Sequence, residues 1–81
     1  MYIMQTISER VNVVLASDRP ISLHWRNRDY RITKIGLRHE DLEGNTLVHL
    51  FSVLSGTIFF KLKFNTKNLA WTLVEFDDNA F

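Results

Sequence analysis

Apolar residues alternate with polar ones along most of this chain, and a period of two is typical of β-strands. The segment 57–64 shows the alternation most clearly, because its even-numbered positions are all apolar and two of its odd-numbered positions are lysines. We expect its inward side chains to be Ile58, Phe60, Leu62 and Phe64. Its outward side chains are then Phe59, Lys61 and Lys63.

Turn-forming residues separate the alternating runs at intervals of roughly ten positions, which is the pattern of a small sandwich or barrel. The predicted strands are 10–16, 21–26, 30–37, 46–54, 57–64 and 69–76. A bulge at Gly36 reconciles the faces of Tyr30 and Ile32 with those of Ile35 and Leu37. The charged segment 38–45 is predicted to be a loop.

Segment 69–76 alternates strictly, whereas segment 9–16 fits two types of secondary structure. In 69–76, strict alternation puts Trp71 and Leu73 on one face and Phe76 on the other. Segment 9–16 also fits an amphipathic helix, because Ser8 is a suitable N-cap and the apolar spacing has a helical period. Its β-branched residues favour a strand, and both interpretations remain open from the sequence.

Short antiparallel strands in so small a chain bury their apolar faces by curling into a barrel. The 81 residues suffice for one domain, and 46% of them are hydrophobic, so the material for a core is present. We therefore predict an all-β fold, a single antiparallel SH3-like barrel of five to six short strands over residues 1–81. Segments 1–8 and 77–81 are expected to fray.

Composition narrows the cellular setting and the chemistry. The chain has no cysteine, which excludes a disulfide and a thiolate metal site and fits a reducing compartment. Its start lacks the basic and apolar regions of a signal peptide, and no apolar run reaches the length of a membrane-spanning helix. We expect a cytoplasmic protein that has no contact with a membrane.

Catalytic and metal-binding patterns are sparse. The histidines are His24, His39 and His49, and none of their spacings is that of a close ligand pair. No nucleophile elbow and no glycine-rich phosphate loop occurs, and the acids of 40–43 are those of a solvated loop. We expect no enzyme activity, no cofactor, no metal and no small-molecule substrate.

The net charge is only +1, but cations crowd residues 19–38 against the single acid Asp29. One hypothesis makes this region a basic surface for nucleic acid, with stacking from an exposed ring. The candidate contact residues for nucleic acid or a partner are Arg26, Arg28, Arg31, Phe59, Lys61 and Lys63. The competing interpretation places Trp25, Tyr30 and Trp71 in the core, because a small domain needs the apolar area of such rings.

A second hypothesis is a protein-interaction module that binds a protein partner or a second copy in a homodimer. Segments 46–54 and 69–76 carry apolar residues on both faces, and the inside of a small barrel accommodates only one of them. The other face must be covered by the segment Tyr2, Ile3 and Met4, or by a second copy. Open strand edges also favour pairing.

The pattern Leu23-x-Trp25-Arg26-x-Arg28-x-Tyr30-x-Ile32, preceded by Pro20 and followed by Trp71-x-Leu73 and a closing aspartate, resembles a small β-domain of uncharacterised bacterial proteins. A similar domain forms the tail of catalytically inactive Y-family polymerase relatives of the mutasome type. The resemblance spans roughly residues 20–77. Asn27 stands where that family often has glycine, and the aromatic residue common after the third strand is absent. The resemblance implies a compact β-domain in a nucleic-acid-related setting, and no catalytic residue.

Overall fold

The computed structural model describes residues 5–78, which contain seven β-strands and no helix. The strands are β1 (Gln5–Ala16), β2 (Arg19–Trp25), β3 (Arg28–Arg31), β4 (Lys34–Glu43), β5 (Thr46–Ser55), β6 (Ile58–Asn65) and β7 (Trp71–Asp77). All neighbouring strands are antiparallel. The predicted all-β class is confirmed.

The strands form one sheet in the order β3-β2-β1-β7-β6-β5-β4. The first and last strands of the chain are therefore neighbours near the middle of the sheet, where Gln5 pairs with Phe76 and Val11 pairs with Trp71. The two edge strands, β3 and β4, follow one another in sequence. The chain thus forms two meanders that are joined by the β1–β7 ladder.

The sheet curls into a half-barrel. The rings of Tyr30 on β3 and Phe60 on β6 lie 5.0 Å apart between centroids, although three strands separate β3 from β6 along the sheet. The chain between the two edge strands holds this curvature, because the amide of Thr33 donates a hydrogen bond of 2.8 Å to the carbonyl of Leu54 on β5. The concave face of the half-barrel encloses the core.

The core cluster contains buried side chains from the five inner strands. The two edge strands, β3 and β4, contribute none. The buried members of the cluster are Val11, Leu23, Trp25, Phe51, Val53, Phe60, Leu62, Trp71 and Leu73. Both indoles belong to it, with 5% of Trp25 and 9% of Trp71 exposed, which confirms their prediction as core residues. Tyr30 packs against the cluster and is half-buried.

The structure resolves the open question on the first segment and confirms the clearest alternation. Residues 9–16 belong to β1, so the helical interpretation is wrong. On β6, Phe60 and Leu62 are fully buried and Lys61 and Lys63 lie on the convex face, as predicted.

The strand count is seven and not five to six, because the predicted third strand is divided: β3 ends at Arg31 and β4 begins at Lys34. The charged segment 38–45 is also not a loop, since residues 38–43 continue β4 and the turn is confined to Gly44 and Asn45. Residues 36–43 of this edge strand are exposed, so charged residues cost little there. A register shift between Ile35 and Arg38 is consistent with the bulge expected at Gly36.

Phe76 lies on the concave face, which contradicts its predicted position opposite Trp71 and Leu73. The register of β7 against β6 shifts after Leu73, because Lys61 pairs with Glu75 and Leu62 pairs with Leu73. Val74 is the additional residue, and it reverses the alternation beyond it. Phe76 consequently packs 4.9 Å from Trp25 between ring centroids.

The first and last strands reach into the segments that are expected to fray, since β1 begins at Gln5 and β7 ends at Asp77. Residues 1–4 and 79–81 lie outside the described residues, and so does the expected cover by Tyr2, Ile3 and Met4. Within 5–78, no helix has the length and hydropathy that crossing a membrane requires.

Two leucines provide a matched test of this core. Leu62 is fully buried, whereas 65% of Leu42 is exposed. Leu62→Ala should lower the free energy of unfolding by about 2–5 kcal/mol, because it removes packed methyl groups and leaves a cavity. Leu42→Ala should change it by no more than about 0.5 kcal/mol. Urea denaturation measures both, and equal effects would contradict the assigned faces.

Candidate functional site

The candidate contact residues are divided between two distant parts of the half-barrel. Arg26 lies in the turn between β2 and β3, and Arg28 begins β3. Arg31 pairs with Ser22 and lies on the convex face of the β3 edge. The remaining three, Phe59, Lys61 and Lys63, share the convex face of β6. Four strand spacings of about 4.8 Å each separate β3 from β6, and the curvature turns their convex faces apart.

Several of these cations already have acidic partners. Arg26 donates to Glu9 at 2.9 Å, and the Nζ of Lys61 lies 3.7 Å from a carboxylate oxygen of Glu75. The Nζ of Lys63 donates to Glu43 at 2.9 Å. The predicted basic surface is therefore locally neutralised on β6 and at Arg26.

The ion pair between Lys63 and Glu43 also explains a buried apolar residue on the convex face. Lys63 pairs with Leu50, and Glu43 pairs with Thr46, so the pair spans β5 diagonally. The register places Val48 beneath this span, and Val48 is fully buried. The methylene groups of the lysine cover apolar surface while its charge stays in water.

Glu9 gives Arg26 a structural role beside the buried indole of Trp25. Its carboxylate accepts one hydrogen bond from Trp25 Nε1 at 2.9 Å and a second from the Arg26 guanidinium. That guanidinium also stacks 4.5 Å above the Trp25 ring. The hydrogen bond from Arg26, followed by the one from Trp25, lowers the pKa of Glu9 below its ordinary value. The three side chains fix the hairpin of β2 and β3 to β1.

The histidines lie on different faces. Nδ1 of His24, on the convex face, donates a hydrogen bond of 2.7 Å to the carboxylate of Asp29, whereas His49 lies on the concave face beside Phe64. Among residues 5–78, no three histidine or acidic side chains form a group that could hold a metal ion.

A small pocket opens at one end of the concave face. It has a volume of about 180 Å³ and is lined by Leu15, Asp18, Arg38, His49, Phe51, Phe64 and Trp71. Arg38 lies 5.0 Å from the Phe51 ring centroid and 3.5 Å from the Asp18 carboxylate. The volume is well below the range of about 300–1,000 Å³ that is typical of ligand sites.

The apolar surplus predicted for 46–54 and 69–76 is mostly covered. In these two segments only Leu47 and Leu69 are exposed among the large apolar residues, because the others are buried or half-buried. The other exposed large apolar residues are Val14 and Leu15 on β1, Ile21 on β2, and Leu37 and Leu42 on β4. The two on β4 are 69% and 65% exposed, so this edge strand carries two of the most accessible apolar side chains.

The edge strand β4 is the most accessible part of the sheet. Its ten residues pair with β5 along one side, and no other strand within 5–78 pairs with the opposite side. Every residue from Gly36 to Glu43 is exposed. The other edge, β3, has only four residues. A long row of backbone donors and acceptors is thus available on β4 alone.

The sequence alone does not reveal this edge, because the dense charge of 38–45 is typical of a loop. One signal was available: residues 34–43 contain no proline, and their only glycine is at position 36. Turn-forming residues first occur together at Gly44 and Asn45.

Comparison of this chain with protein-family models, curated proteins and solved structures found no match. The resemblance to the mutasome tail domain stays a prediction.

The hydrogen bonds of Glu9 predict a specific pH dependence. A carboxyl group whose pKa is lowered by folding stabilises the native state above its unfolded pKa, ordinarily about 4.5, and loses that contribution as the pH falls through the folded value. Glu9→Gln should therefore be less stable than the native protein at neutral pH. The difference should shrink as the pH falls below about 4.5. Urea denaturation over a pH series measures this, and a constant difference would contradict the role of Glu9.

Proposed function

We propose that this chain is a small, non-catalytic interaction module that binds a protein partner by adding the partner's strand to the edge of β4. The observation that carries this proposal is the long, fully exposed edge from Gly36 to Glu43. Strand addition uses the backbone hydrogen bonds of such an edge for affinity and side chains on alternate positions for specificity. Leu37 and Leu42 supply apolar contacts within the same strand.

The absence of catalysis is part of the proposal. The pocket at the concave end is small, and its polar side chains are Arg38, Asp18 and His49. Arg38 pairs with Asp18, and Nδ1 of His49 lies 3.5 Å from the carboxylate of Glu40. That arrangement supports a structural use of these charges better than acid–base chemistry, which needs a group positioned against a substrate.

Proline variants at successive positions of β4 test the proposed edge. In an antiparallel ladder, successive N–H groups point alternately toward the paired strand and away from it. One of His39→Pro and Glu40→Pro therefore removes an N–H bonded to β5 and destabilises the fold, while the other removes an outward N–H and leaves the fold intact. Circular dichroism and thermal unfolding identify the folded variant.

The probes are peptides that bind the native protein. They are selected from a displayed library of extended sequences. We expect them to shift the amide resonances of β4 and to bind the folded proline variant at least about tenfold more weakly, a change of about 1.4 kcal/mol. A selection that yields no binder, or binders that perturb another surface and tolerate the proline, would overturn the proposal.

The nucleic-acid hypothesis is the alternative, and it predicts a different result. Its candidate cations are split between the β2–β3 end and β6, and three of them have acidic partners. Phosphate binding by dispersed, paired cations should be weak, so we expect no affinity tighter than about 10⁻⁴ M for a labelled single strand or duplex at physiological salt. Fluorescence anisotropy over a salt series measures it. Tight binding that weakens steeply with salt would favour the alternative.

A further inference from the structure

We infer that the partner at the β4 edge is a second copy of this chain, paired antiparallel with β4 about a two-fold axis at His39. This inference rests on the proposed function and names its partner. It follows from the order of charges along the strand, which is self-complementary in one register.

Symmetry restricts how two β4 strands can pair. A homodimer with an isologous interface joins them antiparallel about an axis perpendicular to the sheet, so the concave faces of both copies lie on the same side. Directly opposed residues then lie on the same face. On β4, Arg38 and Glu40 share the concave face, because they pair with Phe51 and His49 on β5.

With the axis at His39, each Arg38 lies opposite Glu40 of the second copy. Symmetry produces this pair twice, once on each side of the axis. Opposite charges on directly opposed strand positions stabilise the pairing. The same register brings each Leu42 opposite Gly36 of the second copy, which has no side chain and lies in the register shift between Ile35 and Arg38. Leu42, which is 65% exposed, is thereby partly removed from water.

Other registers bring like charges together. An axis at Arg38 places two guanidinium groups opposite each other, and an axis at Glu40 or Asp41 does the same with two carboxylates. Like charges directly opposed destabilise a strand pair. An axis at Leu37 falls within the register shift between Ile35 and Arg38, where the ladder is irregular. The charge order therefore selects the register at His39.

The present partners of these two side chains leave them available. Arg38 lies 3.5 Å from Asp18, and Glu40 lies 3.5 Å from Nδ1 of His49. Both contacts are long. Arg38 and Asp18 are exposed, so their pair contributes only about 0–1 kcal/mol. Glu40 is also exposed, and its half-buried partner His49 lies beyond hydrogen-bond range of it. A guanidinium has five donors and a carboxylate accepts several hydrogen bonds, so either group can bind across the dimer as well.

Charges on an edge strand also serve in many proteins to prevent pairing. A protective strand repels its own copy, whereas β4 carries opposite charges two positions apart and attracts it. The two interpretations differ in what a charge reversal does. Reversing one charge should weaken a self-complementary edge and should have no effect on a monomer that the charges protect.

Sedimentation of the native chain and of charge variants decides between them. We expect the native chain to show a monomer–dimer equilibrium in the micromolar range. Arg38→Glu leaves only acids at 38 and 40, and Glu40→Arg leaves only cations, so each should weaken the dimer at least about tenfold. The double variant R38E/E40R should restore it to within about threefold of the native constant. Arg28→Glu, the same charge change on β3, should leave the dimer unchanged.

Mixing the two single variants is the most specific test of the register at His39. Arg38→Glu and Glu40→Arg are complementary to each other in the register at His39 and self-repulsive when alone. We expect their mixture to form a heterodimer at concentrations where each is monomeric, detected by energy transfer between differently labelled chains. Circular dichroism confirms that the variants are folded.

The outcomes separate this inference from the proposed function. A native chain that stays monomeric while selected peptides bind at β4 overturns self-pairing and leaves strand addition intact. A native dimer that tolerates both single reversals and the folded proline variant uses another surface and overturns self-pairing at β4, while the peptide selection still decides the proposed function. A mixture that forms no heterodimer overturns the register at His39.

Discussion

The ladder between β1 and β7 is the constraint on which the rest of this structure depends. Among residues 5–78, it is the only strand pairing that joins the meander β1-β2-β3 to the meander β4-β5-β6-β7. The remaining pairings connect strands that are adjacent in sequence, whereas this one brings Gln5 to Phe76. Non-local pairing requires closure of nearly the whole chain, which costs conformational entropy before any contact forms. The shared core of Val11, Trp71 and their neighbours compensates for that cost.

This pairing also determines which strands remain at the edges. A meander that ran directly from first to last strand would expose its terminal strands. Here the terminal strands are central, so the edges are β3 and β4, and the short connection through Thr33 holds them against β5. Exposure of β4 is therefore a result of topology. The exposed edge that the proposed function uses and the central position of β1 and β7 therefore have the same cause.

Alternation along a single strand was enough to predict most of the core, because side-chain faces in a regular strand depend only on parity. Phe60, Leu62 and both tryptophans follow this rule. Phe76 and the edge strand do not. The bulge at Val74 depends on the register between β6 and β7, and the extended conformation of 38–43 depends on hydrogen bonds to β5. The candidate cations failed to converge for a similar reason, since strand order decides whether Arg31 and Lys63 are neighbours. The pair of Lys63 with Glu43 is likewise visible only once the register of three strands is known.

The antiparallel arrangement of β1 and β7 has a mechanical consequence. Gln5 and Phe76 pair with each other, so the first residue of β1 lies beside the end of β7. Tension applied at these two positions acts along the interstrand hydrogen bonds, which lie perpendicular to the strands. The force then breaks the hydrogen bonds one after another from that end. Under shear, by contrast, all of these bonds would carry the load together. Tension between Gln5 and Phe76 therefore separates the two meanders at low force, and the β1–β7 ladder breaks before the other strand pairs.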